Sequence, residues 1–247
     1  MSSSGRNPKN VVIIGALDTK GMEFAFIKDL IEKEGIDTLV VDFGTMGDPD
    51  FEPEVKRAEV AAAGGGDLSY LASGAHKDEA MEIMANGLAV VVRKLYDEGK
   101  LGGIIGMGGT GGTSIATTAM RVLPVGVPKV MVSTVAGGDV SAYAGTKDIT
   151  FIPSIVDVAG INSISRTIFA NAAGAIAGMV KVDTPQAGEE RPLVTASMFG
   201  NSTTCVERAR VVVEQGGYEV LVFHATGIGG RTMESLITDG YIAGSMD

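Results

Sequence analysis

The sequence predicts an α/β protein: an open parallel sheet flanked by helices, Rossmann-like in plan, followed by the start of a second α/β domain. Three observations predict it. Short β-branched runs alternate with longer stretches of helical spacing, as in strands joined through crossover helices. Most of the runs stop at a glycine or a hydroxyl residue, as strand-to-helix turns do. Glycine is abundant (35 of 247 residues) and aromatics are scarce (5%), yet 45% of the chain is hydrophobic. That is too apolar for disorder and enough for one large core or two smaller ones.

The elements follow in order. After a polar tail over residues 1–10, residues 11–15 form a β-branched strand ending at Gly15. Met22, Phe24, Ile27, Leu30 and Ile31 then recur at helical spacing. Residues 37–43 are a second strand. Residues 47–74, with Pro49, Pro53 and three consecutive glycines, form an excursion with a short helix near 55–63. A long helix over 77–98 leads to a strand at 104–106, a glycine-rich loop at 106–113 and a helix at 114–122 that Pro124 and Pro128 terminate. Residues 129–134 are the next strand, and a polar loop through Gly137, Gly138, Asp139 and Asp148 follows. A helix rich in small residues spans 161–180.

Residues 183–192 read as a linker between a first domain at 11–182 and a partial second domain at 193–247, because Pro185, Gly188, two glutamates and Pro192 fall within ten residues. The pattern then restarts with a strand at 193–197, a helix at 203–215, a strand at 219–224 and a helix at 229–238. A sheet of two or three strands keeps open edges, so the chain is expected to stop inside that domain.

A net charge of −10 argues against nucleic acid and against anionic membrane surfaces as partners. A small anionic ligand held by local backbone N–H groups is compatible with it. The single cysteine, Cys205, fits a reducing compartment and reads as a buried or inert thiol. With no cysteine pair and no H-x-x-x-H, no zinc site is expected. The apolar run at 11–17 is too short for a signal peptide or a span, so a cytoplasmic location is the default.

The polar clusters fall where strands end, and in open parallel sheets those junctions share one edge, where ligands bind. Gly106, Gly108, Gly109, Thr110, Gly111, Gly112 and Thr113 are the strongest signal. Bare backbone permits close approach, and a helix N-terminus favours an anion. The segment matches G-x-G-x-x-G, but no acid ends the next strand and no P-loop lysine is present. A turn that needs glycine only for close helix–sheet packing is the competing reading. Asp18, Thr19 and Lys20 follow the first strand; Asp18 could cap the helix, hold a ribose or meet Mg²⁺ indirectly, and Lys20 could meet a phosphate. Ser133, Thr134, Gly137, Gly138 and Asp139 combine hydroxyls, permissive backbone and a carboxylate. His224 and Asp139 are the acid–base candidates.

Four strings, at 15–21, 108–113, 170–178 and 223–230, together resemble the UPF0261 family of Tm-1-like ATP-binding domains. The resemblance runs from Val11 onward, and members of that family are longer than this chain. It implies two α/β domains, ATP as ligand and a homodimer; Mg²⁺ as a companion of the nucleotide comes from the reading of Asp18, Thr19 and the loop at 133–139. The antiviral role of the plant member is not carried over. Two further readings stand beside nucleotide binding: an enzyme acting on a small phosphorylated or carboxylated metabolite through His224, Asp139 and Asp18, and a dimeric scaffold using the helix at 161–180.

Overall fold

The computed structural model describes residues 10–72, 77–183 and 191–247. They fall in two units, Met1–Val182 and Asp183–Asp247. Most of the expected linker, and His76, lie outside the described residues.

Five strands build the sheet of the first unit: β1 (Val11–Gly15), β2 (Thr38–Asp42), β3 (Gly103–Gly108), β4 (Lys129–Ser133) and β5 (Thr150–Pro153). All neighbours are parallel, in the order β2-β1-β3-β4-β5. β1 is buried throughout; Val12 and Ile14 face one helical layer, Val11 and Ile13 the other. A strand covered on both faces has to be a continuous apolar run. One layer is α1 (Leu17–Lys33) and α7 (Ser163–Lys181), through Phe24, Ile27, Ile31, Phe169 and Ile176. The other is α2 (Arg57–Ala63), α4 (Lys77–Asp97) and α5 (Thr110–Arg121), through Val60, Met84, Leu88, Ile115 and Met120. Each such side chain taken from water contributes roughly 1.5–3 kcal/mol, so the two layers carry most of the stabilisation.

α2 and α4 cross on glycine. A methyl group at Gly87 would lie 1.9 Å from the Val60 carbonyl oxygen, and one at Gly64 2.1 Å from that of Ile83. The excursion before α4 also contains the short α3 (Leu68–Leu71), capped by the Asp67 carboxylate.

The expected boundaries change in three places. β3 runs on to Gly108 and α5 begins at Thr110, not 114. α1 begins at Leu17, and Asp18 does not cap it: the N-cap is Ala16, without a side-chain bond. The polar loop after β4 contains the short α6 (Ser141–Ala144) and the edge strand β5. Asp148, in that loop, is structural. Its Oδ1 takes the Lys129 ammonium at 2.8 Å, and Lys129 is wholly buried, also donating to the carbonyls of Pro124 and Val127.

The second unit has β6 (Leu193–Met198), α8 (Thr203–Gln215), β7 (Glu219–His224), α9 (Ile228–Thr238) and β8 (Ile242–Met246). Its three strands are parallel in the order β7-β6-β8. Cys205 is exposed on α8, so of the buried or inert thiol expected the burial does not hold. Among the described residues, no helix is long and apolar enough to cross a membrane.

Candidate functional site

The glycine-rich segment is a strand, one turn residue and a helix start. Its glycines divide into two kinds. Gly106 and Gly108 lie within β3, where a methyl group would meet Ala116 at 3.1 Å and Gly112 Cα at 3.1 Å respectively. These two let α5 lie close to the sheet. Gly109, Gly111 and Gly112 are different. A methyl group there would find its nearest neighbours at 3.7 Å (Thr134 Oγ1), 3.3 Å (the flexible end of Met81) and 3.7 Å (Met107 O). None of the three has a positive φ. Neither space nor backbone conformation requires glycine; at the N-cap Gly109 glycine is ordinary, but within the helix, at Gly111 and Gly112, it costs up to about 1 kcal/mol against alanine. What the three provide is uncovered backbone. The Thr113 N–H makes the first bond of α5, to Gly109 O at 2.8 Å, and Gly109 supplies no side-chain cap. The N–H groups of Thr110, Gly111 and Gly112 therefore form the open, positive end of the helix.

A cavity of about 370 Å³ lies over these residues, within the range of small-molecule sites. The end of β1 contributes Ala16 and Asp18, the end of β2 Phe43 to Met46, and the end of β3 Met107 to Gly109; Met81 and Met84 of α4 close it. This is the switch point of the sheet: the helix after β1 packs on one face and the helix after β3 on the other, where doubly wound sheets bind ligands.

The expected site residues separate. Asp18 lines the cavity; its Oδ2 takes the N–H groups of Met46 (2.7 Å) and Gly47 (3.1 Å), and its Oδ1 is buried without a hydrogen-bond partner. Thr19 lines it as well. Lys20 borders it, but its ammonium donates to the Val158 carbonyl. Gly108, Gly109, Gly111 and Gly112 form its floor. Thr113 and Ser133 are buried and bonded to each other, Oγ1 to Oγ at 2.6 Å, so their hydroxyls hold α5 to β4 and do not line this cavity. Thr110, Thr134 and Gly137 line a second cavity on the other side of Gly109. Gly138 and Asp139 line neither cavity. Asp139 takes the Ser141 N–H at 2.9 Å, and Ser141 holds its carboxyl below the usual range. His224 belongs to the second unit, where its ring lies against Phe199, tilted by 33° with centroids 5.8 Å apart.

Sequence reasoning missed Lys77, Thr45 and the methionines of α4, all lining the first cavity. The signal for Thr45 was present: Gly44 follows β2 as Gly109 follows β3. Lys77 opens α4, after residues that carry no motif. Behind the cavity wall, Asp42 ends β2 fully buried; its Oδ1 takes the N–H groups of Leu17 (3.1 Å) and Gly44 (2.8 Å), and its Oδ2 has no partner. Burial pushes its carboxyl above the usual range, the two N–H groups oppose that, and Asp18 adds repulsion.

The parallel order of the sheet and the open edge over β1 and β3 define an α/β protein of the Rossmann-like kind. The chain belongs to the UPF0261 family. Residues 9–185 match the domain described as "Uncharacterised protein family (UPF0261) N-terminal domain", and residues 191–247 match its C-terminal domain. Similar proteins are a UPF0261 protein of Clostridium tetani (52% identical, covering 97% of this chain and 59% of that one) and UPF0261 protein RA0729 of Rhizobium meliloti (39%, covering 97% and 58%). The ToMV resistance protein Tm-1(GCR237) of Solanum lycopersicum is 36% identical, covering 100% of this chain and 35% of the tomato protein. The chain thus spans 59% or less of the length of these relatives.

Proposed function

We propose that the first unit is a nucleotide-binding module, with ATP as the ligand the family resemblance implies. The observation that supports it is the pair Gly111 and Gly112 in the first turn of α5, where glycine weakens the helix and no contact or backbone conformation within the chain requires it. Three backbone N–H groups and the helix dipole would hold the phosphates. Lys77, exposed at the start of α4, adds a positive charge to the same cavity. Phe43, Met81, Met84 and Ile115 offer an apolar wall for a base. Asp18 lines the cavity and would meet a magnesium ion brought in with the nucleotide only indirectly, through water, because its Oδ1 is buried and its Oδ2 takes two N–H groups.

The test separates binding from folding. Gly111→Ala and Gly112→Ala fit the protein without a clash and should raise helix stability by up to about 1 kcal/mol each. Their methyl groups would stand on the cavity floor, and calorimetry with Mg²⁺ and ATP should show affinity lower by about tenfold or more. Variants that bind ATP as well as the wild type, or a wild type that binds none, would reject the reading.

The homodimer is a second proposal. Gly174 and Gly178 lie one turn apart on α7, with nothing within 4 Å of a methyl group at either. A second copy packing closely there would explain two glycines within a helix. Sedimentation showing a monomer at micromolar concentration would remove it.

A further inference from the structure

Gly109 borders two cavities. The second, of about 640 Å³, lies at the carboxyl ends of β3, β4 and β5, with Thr110, Thr134, Ser154, Ile155 and Asp157 among its lining residues. Its floor is fixed. The Ser154 N–H donates to Ser133 O at 3.0 Å and the Thr134 N–H to Gly108 O at 3.2 Å. Its rim is a three-residue turn in which the Val156 N–H reaches Ser154 O at 2.7 Å and the Ser154 hydroxyl reaches Val156 O at 2.6 Å. At its tip Ile155 has φ +66°, and it is 70% exposed. A β-branched residue in that region costs roughly 1–3 kcal/mol, and burial of this side chain within the unit does not offset it.

The lining selects a chemistry. The Thr110 and Thr134 hydroxyls make no hydrogen bond among the described residues. Asp157 uses Oδ1 for the Val158 N–H at 2.8 Å and keeps Oδ2. Among the described residues, no lysine, arginine or histidine lines this cavity. An organic anion would meet Asp157 with no cation to offset it, and a purely apolar molecule would leave two hydroxyls and a carboxylate without water or partner. A neutral molecule bearing several hydroxyls satisfies both demands. Its O–H groups donate to the carboxylate and exchange bonds with the threonines, while its C–H face rests on Pro153 and Ile155.

We infer that this cavity is a second binding site, for a small uncharged polyhydroxylated molecule of the sugar or cyclic-polyol class. Its neighbour across Gly109 is the anion of the nucleotide reading, and only that adjacency rests on the reading. The probes are D-glucose and myo-inositol, titrated into the full chain with and without Mg²⁺ and ATP and followed by saturation-transfer NMR. Asp157→Ala and Thr134→Val change exposed side chains and leave the core intact. At least one probe should bind the wild type and bind both variants about tenfold or more weakly, as loss of a charge-assisted or buried hydrogen bond does, while ATP affinity stays within about twofold. No binding of either probe, or equal binding by wild type and variants, overturns the site. Polyol binding that responds to the variants in a chain that ignores ATP keeps this site and removes the nucleotide reading. ATP binding that falls in Gly112→Ala, with no polyol bound, does the reverse.

Discussion

Two carboxylates, Asp42 fully buried and Asp148 partly exposed, carry opposite pH signatures. Asp42 has its carboxyl raised, by burial first. Its contribution to stability is therefore greatest below the ordinary value of 3.8 and declines as pH rises through the folded value. Asp42→Asn keeps an acceptor for Leu17 and Gly44 and removes the charge. Urea titrations should show the balance moving toward the Asn variant between acid and neutral pH; a constant difference would mean that the carboxyl titrates alike in the folded and unfolded chain. Asp148 behaves in the other sense. Burial pushes its carboxyl up, but the Lys129 ammonium and the Gly126 N–H outweigh burial and hold it below the usual range. Its stabilisation is present above 3.8 and is lost as pH falls through the folded value. Asp148→Ala takes the carboxylate away from a buried ammonium. Asp148 is itself 42% exposed, so the expected cost is about 2 kcal/mol, below the range for a fully buried pair, and it should shrink in acid.

Among the elements, the crossing of α2 and α4 is the tightest constraint. Gly87→Ala would press a methyl group into a backbone carbonyl, which cannot rotate away. Thermal unfolding should show a loss of about 1–3 kcal/mol. On α7 the same change has the opposite expectation. Gly174→Ala and Gly178→Ala should each stabilise an isolated subunit by up to about 1 kcal/mol, and should weaken association if a second copy packs there.

What the sequence made legible follows from the same physics. β1, β4, β7 and α8 were readable within a residue or so because β-branched runs and helical spacing are local signals. The start of α5 was not, because Gly111 and Gly112 oppose helix formation and only packing against β3 and α4 places them in one. β5 was hidden because it has four residues, partly exposed, and exists by pairing with β4. In the site, Asp18 and the glycine floor could be read from strand ends. Lys77 and the α4 methionines could not, since a helix that ends far from a motif can begin beside it. Thr113 and Ser133 look like ligand hydroxyls in sequence and turn out to bind each other.

At the scale of the whole molecule, all described residues lining both cavities belong to the first unit. A chain ending at Val182 should therefore fold and bind Mg²⁺ and ATP with unchanged affinity; calorimetry on that fragment, with circular dichroism for folding, checks it. A saturating nucleotide should also raise the unfolding temperature of the first unit, by about 2.7 kcal/mol of stabilisation at one hundred times its dissociation constant.

The pairing of β1 with β3 has a consequence for how the protein comes into being. Val11 lies opposite Gly103, so about ninety residues must be synthesised and looped back before the two strands meet. Contacts this distant in sequence form late and slowly. The walls of the first cavity, one at each strand end, do not face each other until that closure is complete. A ligand arriving during synthesis would find no half-made site, so binding can hold the finished sheet together yet cannot seed it. Refolding rates should be the same with or without nucleotide, and the ligand's whole effect should fall on the rate of unfolding.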